Sequence, residues 1–115
     1  MKLVTKEIER RVKQYPLYSQ DGKKKDAVAV AKFFLPISSW TWYMLEADLQ
    51  EGIAFGIVIN GSGEGEYGYF SLNELQDMKV TKFQLTVERD IYFEPTKLSD
   101  IENEYLQKFL DRMYS

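Results

Sequence analysis

The stretch that decides the fold runs from Lys32 to Glu46 and reads KFFLPISSWTWYMLE. Both tryptophans of the chain, Trp40 and Trp42, stand in it two residues apart. Because side chains alternate between the two faces of a strand, this spacing predicts that the tryptophans share a face with Glu46 and that Tyr43 points the other way. Such a strand either anchors a core or presents an aromatic surface to a ligand, and the pattern leaves both open.

Length and composition indicate one domain covering residues 1–115. A chain of 115 residues with 44% hydrophobic content is large enough for a single modest core. The sequence contains no cysteine and no histidine. Disulfides and thiolate metal sites are thereby excluded, and the commonest general base and zinc ligand are missing. We therefore expect no metal and no cofactor, and the composition argues against an enzyme.

The charge balance indicates the class of partner. A formal net charge of −3 argues against binding to duplex nucleic acid, because such affinity comes largely from cations that neutralise phosphates. The same charge is too small for a mimic of DNA. The sequence has neither a signal-peptide core nor an apolar run of membrane-spanning length, so we expect a cytoplasmic protein with no membrane partner.

Hydrophobic periodicity predicts a mainly antiparallel sheet of about five strands. The last of these strands alternates apolar and polar residues over its whole length. The pair Asn60-Gly61 predicts a hairpin turn. The expected strands are Val28 to Leu35, Trp40 to Ala47, Ile53 to Asn60, Glu66 to Phe70, and about Lys82 to Phe93.

Three helices complete an α+β fold. Thr5 is the expected N-cap of a helix that ends near Gln14, and capping boxes begin at Ser71 and Ser99. The first box predicts a short middle helix, residues 72–77, and the second a C-terminal helix over about 99–113. The apolar arc of that last helix is wide, which predicts a homodimer formed through Leu106 and Leu110.

Several motifs in combination resemble domain-of-unknown-function family 2958. The resemblance covers about residues 3–98 and implies a bacterial accessory role on plasmids, conjugative transposons or other mobile genetic elements. The family has no established activity that could be carried over to this chain. The motifs are Pro16-Leu17-Tyr18-Ser19, Lys32-Phe33-Phe34 with Pro36, Ser39-Trp40-Thr41-Trp42-Tyr43 with Glu46, Phe55-Gly56, Glu66-Tyr67-Gly68-Tyr69-Phe70-Ser71-Leu72 with Glu74-Leu75, and Val87-Glu88-Arg89-Asp90-Ile91-Tyr92-Phe93 with Pro95.

Arg89 is a charged residue at a position where the strand pattern predicts an apolar one. Strict alternation places it on an apolar face between Val87 and Ile91, where an unpaired cation would cost several kcal/mol. Glu46 is the natural partner. The pair either forms a polar site in an apolar pocket, where Arg89 binds an anionic ligand, or is purely structural. A third possibility is a bulge that turns Arg89 outward.

The aromatic residues offer a second candidate site. Trp40, Trp42 and Tyr43 either stack nucleic-acid bases or pack in the core. Tyr43 points away from the tryptophans, and Tyr67 and Tyr69 point away from Phe70, so the sheet carries aromatic residues on both faces. One face is then only half covered, and an exposed aromatic patch with a polar rim would mark a partner site.

Three functions remain open at this level. The leading prediction is a small non-enzymatic interaction module that binds a protein partner, with Trp40, Trp42, Tyr43, Glu46, Tyr69 and Arg89 as binding residues. The second is single-stranded nucleic-acid binding through Trp40 and Trp42. The third is a carboxylate-based hydrolase that uses Glu46 with Asp48 or Glu66.

Overall fold

The computed structural model describes all residues from Met1 to Ser115. It has three α-helices, none long and apolar enough to cross a membrane, and nine strands, several of them only two residues long. In chain order the elements are α1 (Lys6–Val12), β1 (Val28–Ala29), β2 (Ala31–Phe34), β3 (Thr41–Asp48), β4 (Ile53–Ile59), β5 (Gly65–Ser71), α2 (Leu72–Asp77), β6 (Lys79–Val80), β7 (Leu85–Thr86), β8 (Glu88–Arg89), β9 (Thr96–Lys97) and α3 (Glu104–Tyr114).

A five-stranded antiparallel sheet of order β5-β4-β3-β2-β8 divides the protein into two cores. Helices α1 and α2 pack on one face, where Trp42 and Met44 lie in the first core. Helix α3 packs on the other face, where Tyr43 and Ile57 lie in the second core. The predicted α+β class, the antiparallel sheet and the three helices are confirmed.

Local capping signals correctly predicted the first two helices. The Thr5 hydroxyl accepts the Ile8 N–H at 3.2 Å, and the Ser71 hydroxyl accepts the Glu74 N–H at 3.1 Å. Each bond satisfies a backbone donor that the first helical turn leaves unpaired. Helix α1 ends at Val12, two residues before the predicted end.

The predicted strand from Lys82 to Phe93 is wrong. Residues Thr81–Phe83 form a 3₁₀ turn, and Gln84 then adopts a left-handed conformation with φ of 57°. The chain reverses there, so that β7 pairs back onto β6, and only β8 joins the main sheet beside β2. Because the reversal uses no glycine, proline or asparagine, alternation across it looked like one continuous strand.

The C-terminal helix begins later than predicted. Residues Leu98–Asp100 form a 3₁₀ turn, and Asn103 is the N-cap of α3, accepting the Leu106 N–H at 3.1 Å. Leu106 and Leu110 are fully buried against the sheet. The wide apolar arc is therefore explained by the second core, and these two side chains are not available for the predicted homodimer.

A β-bulge in β3 overturns the expectation that Glu46 shares a face with the tryptophans. Met44 pairs with Gly56, and Glu46 pairs with Phe55. Strand β3 therefore advances by two residues where β4 advances by one. Ala47 then points with Ala54 into the first core, and Glu46 points to the opposite face. The bulge thus moves the acidic side chain from the tryptophan face to the face that carries α3.

Candidate functional site

Glu46 is a buried carboxylate that holds a loop against the sheet. Its two oxygens accept the backbone N–H groups of Tyr18 at 2.8 Å and Gln20 at 2.7 Å. The buried Gln20 side chain in turn bonds to both backbone groups of Val28 and to the carbonyl oxygen of Leu45. Glu46 and Gln20 therefore fix the path of residues 16–28 over this face of the sheet.

From Glu46 a row of side chains crosses the sheet to its open side. The strand register places Phe55 beside Glu46 on β4 and Tyr69 beside Phe55 on β5. The Phe55 ring lies 5.0 Å from the ring of Tyr69 and 5.9 Å, nearly parallel, from that of Tyr67. The row begins at a carboxylate that is only 2% exposed and ends at Tyr69, which is 56% exposed.

A cavity of about 280 Å³, here called the aromatic recess, opens over this row. Tyr67 and Tyr114 close one side, with their hydroxyl oxygens 2.5 Å apart. Burial, and secondarily this hydrogen bond, raises the pKa of Tyr67 well above its usual range. The residues that line the recess include Asp21, Lys24, Glu46, Phe55, Tyr67 and Tyr114.

Tyr18 and Tyr69 form an exposed aromatic pair beside the recess. The neighbouring Tyr18 hydroxyl is the main cause of a raised pKa at Tyr69, followed by burial and by the negative charges of Asp21 and Glu46. Both rings are more than half exposed. The recess at this end of the row is lined by two carboxylates, Asp21 and Glu46, and one cation, Lys24, which together with the aromatic rings suits a cationic group.

Tyr43 belongs to the core, contrary to its expected place in a binding site. It is fully buried, and its hydroxyl accepts a hydrogen bond from the Asn103 amide at 2.8 Å. Burial raises the pKa of Tyr43 to about 12, above its ordinary 10.0. Tyr43 shares a face with Tyr67 and Tyr69, but α3 covers it and leaves the other two nearer the surface.

The two tryptophans stack on one another. Their ring centroids lie 5.7 Å apart with planes 19° from parallel. Trp42 is buried in the first core, whereas Trp40 is 38% exposed and packs against the hairpin at Gly61. Only one of the two rings is therefore presented to a ligand.

The structure does not bring Arg89 and Glu46 together. The Arg89 guanidinium donates to the backbone carbonyl oxygen of Lys2, on the far edge of the sheet. It lines a second cavity of about 300 Å³ beside α1, together with Arg11, Lys32 and Asp90. Arg89 pairs with Phe33 and so does lie on the face of the first core, as alternation predicted, but the Lys2 carbonyl gives its guanidinium a partner.

The acidic residues considered for catalysis do not converge. Glu66 pairs with Val58 and projects from the opposite face of the sheet from Glu46. Asp48 uses a carboxylate oxygen to accept the Glu51 N–H at 3.1 Å. No group of three or more acidic side chains is placed to hold a metal ion.

Sequence reasoning found Glu46 and Tyr69 but missed the residues that complete the recess. Tyr18, Gln20 and Phe55 gave no periodic signal, because a distant loop and a bulge bring them together. The usable clue was Phe55-Gly56, since a glycine inside an apolar strand often marks a bulge or a close backbone approach.

Comparison with known proteins gives a family without an activity. No curated protein and no solved structure matches this chain. A family model described as a protein of unknown function, DUF2958, matches residues 3–105, which extends past the expected 3–98 into the first turn of α3. The chain therefore belongs to the DUF2958 family.

Proposed function

We propose that the protein is a small non-enzymatic interaction module that binds a protein partner through the aromatic recess and the exposed pair Tyr18 and Tyr69. The observation that carries the proposal is the row Glu46, Phe55, Tyr69, which is half covered and ends in exposed aromatic rings. Aromatic side chains with a polar rim are enriched where proteins meet, because they bury large areas at low entropic cost.

The chemistry of the recess favours binding over catalysis. Both oxygens of Glu46 already accept backbone N–H groups, so the carboxylate has a fixed structural task. No histidine or cysteine exists in the chain to act as base or nucleophile. The Tyr67 and Tyr114 hydroxyl groups bond to each other rather than to a carboxylate or an amine that could act as a base.

The cellular setting of this proposal comes from the family resemblance. It implies an accessory protein of a bacterial mobile genetic element, carried on a plasmid or a conjugative element. The partner is then expected among the proteins that the same element encodes.

Single-stranded nucleic-acid binding is the weaker candidate. It requires a stacking platform, and burial of Trp42 leaves Trp40 as the one exposed ring of the two. The excess of carboxylates over cations in the recess also disfavours a phosphate backbone.

A photo-crosslinking experiment tests the proposal. The photoreactive amino acid benzoylphenylalanine replaces Tyr69 in the full chain, expressed in its native host. The matched control carries it at Tyr92, which is 86% exposed near the opposite edge of the sheet. We expect one discrete protein adduct from position 69 and none from position 92. Equal labelling at both positions, no adduct, or a nucleic-acid adduct would contradict the proposal.

A further inference from the structure

Strand β5 leaves one edge of the main sheet open. It pairs only with β4. One hydrogen bond lies just beyond each end of this pairing, from Asn60 N to Glu64 O and from Leu72 N to Gly52 O. Antiparallel pairs alternate between hydrogen-bonded and non-hydrogen-bonded residues, so the even-numbered residues of β5 bond to β4. The backbone groups that point outward are the N–H and C=O of Tyr67 and Tyr69 and the N–H of Ser71.

These outward groups do not find partners elsewhere in the chain. Outside the helices and strands the backbone makes 24 hydrogen bonds, and none involves the N–H or C=O of Tyr67 or Tyr69 or the N–H of Ser71. The Ser71 carbonyl is not among the open groups, because Ser71 is the N-cap of α2 and its C=O accepts the first helical hydrogen bond. The neighbouring Gly65 differs, because its carbonyl oxygen accepts from Arg112 of α3 at 3.2 Å. The open edge thus starts beyond Gly65 and ends where α2 begins.

We propose that this edge binds an extended basic peptide by β-strand addition, with its backbone paired to Tyr67, Tyr69 and Ser71. An Arg or Lys side chain of the peptide lies across Tyr69 toward Phe55 and the recess. The inference rests on the proposed function and names the chemistry of the partner. Three outward residues at alternate positions span about 13 Å, which matches a segment of roughly five residues in the added strand.

Charge complementarity selects the basic side chain. The negative charges of Asp21 and Glu46 act at the Tyr69 hydroxyl. Lys24 lines the same recess, so its two carboxylates still exceed its one cation. A strand added at the usual spacing of about 4.8 Å brings a long cationic side chain over the Tyr69 ring, where the ring face and the carboxylates both attract it.

A second copy of this chain is a poorer occupant of the edge. Pairing β5 with its own copy would bring two electronegative recesses together, and Glu66 lies within each edge strand. Each copy also carries a formal net charge of −3. Like charges at close range oppose such a pairing, whereas a basic peptide is attracted by them.

The test uses a blocked synthetic hexapeptide, Thr-Val-Arg-Val-Thr-Val, titrated at low salt into the ¹⁵N-labelled full chain. The control peptide has glutamate in place of arginine. We expect the arginine peptide to shift and protect the amides of Tyr67, Tyr69 and Ser71, and to bind at least tenfold more tightly than the glutamate peptide. Equal affinities, or binding that leaves those three amides unchanged, would overturn the proposal.

Two variants separate backbone pairing from the ring contact. Tyr69→Pro removes an outward N–H without removing a ladder bond to β4, so it should abolish binding. Tyr69→Ala keeps the N–H and should weaken binding severalfold. If Tyr69→Pro fails to fold, N-methylation of the peptide at alternate amides tests the same pairing and should also abolish binding. Retained binding of the N-methylated peptide would overturn strand addition.

The outcomes also distinguish this inference from the proposed function. A protein adduct at position 69 without peptide-induced amide shifts would leave partner binding standing and overturn strand addition. Sedimentation of the free protein as a dimer, with the Tyr67 and Tyr69 amides already protected, would assign the edge to a second copy and would also overturn it.

Discussion

Gly56 lies so close to Tyr43 that a β-carbon on it would stand 1.8 Å from the Tyr43 carbonyl oxygen and 3.2 Å from the Leu45 nitrogen. This close approach occurs where β4 faces the bulge in β3. The bulge turns Glu46 toward Phe55 and away from the tryptophans. A close backbone approach between two strands therefore determines that the buried acid and the exposed tyrosines occupy the same face.

Substitution of Gly56 by alanine is expected to destabilise the protein strongly. The added β-carbon would force the Tyr43 backbone to move, and we expect the free energy of unfolding to fall by about 3 kcal/mol. Chemical denaturation measures the change. The matched control is Gly68→Ala on the strand opposite, where an added β-carbon meets nothing within 4 Å. A loss of similar size in both variants would contradict the bulge argument.

Replacement of Glu46 by glutamine is expected to loosen the loop that carries Tyr18. Glutamine offers one acceptor oxygen where the carboxylate offers two, so either Tyr18 N–H or Gln20 N–H loses its partner. We expect a loss of about 2 kcal/mol and faster hydrogen exchange at those two amides. The exposed Glu66→Gln serves as the control and should leave both quantities unchanged. Slow exchange retained at both amides would refute this role for Glu46.

Stability should fall at alkaline pH because of buried tyrosine. The pKa of Tyr43 is about 12 in the folded protein against 10.0 for a free side chain, so the folded state holds its proton more tightly. The stabilisation is complete below pH 10 and is lost as the pH rises through about 12, by roughly 2 to 3 kcal/mol. Denaturation curves at pH 9 and 11.5 check this. Tyr43→Phe should show a smaller decline, and an identical decline would argue against Tyr43 as its source.

The turn after β2 contains a strained residue whose relief should stabilise the fold. Ile37 is 92% exposed and has φ of 59°, a conformation in which a β-branched side chain is disfavoured. Ile37→Asn is expected to raise the free energy of unfolding by about 1 kcal/mol, because asparagine tolerates this region. Thermal denaturation checks it. The control Ile91→Asn, exposed but with negative φ, should give no gain.

The sequence predicted those elements whose causes are local. The caps at Thr5 and Ser71 act within three residues, and both were correct. The strand predicted through Gln84 failed because one left-handed residue reverses the chain without a turn-forming residue type. Ser99 failed as a cap because Asn103, four residues later, caps the helix that packs on the sheet.

The candidate site was predictable only in part. Tyr69 and Glu46 were both among the predicted binding residues, but periodicity placed Glu46 on the wrong face of the sheet. The contacts of Glu46 come from a loop 26 and 28 residues away along the chain. No pattern within a strand encodes such contacts, and they depend on the path that Gln20 and Glu46 impose together.

Residue-by-residue hydrogen exchange along β5 in the free protein tests the central claim most directly. An open edge predicts alternation, with fast exchange at Tyr67, Tyr69 and Ser71 and slow exchange at Glu66, Gly68 and Phe70, whose N–H groups bond to β4. That result would leave a row of unpaired donors beside an acidic aromatic recess, ready for a basic strand. Uniformly slow exchange across all six residues would mean that the edge is already covered and would contradict the account.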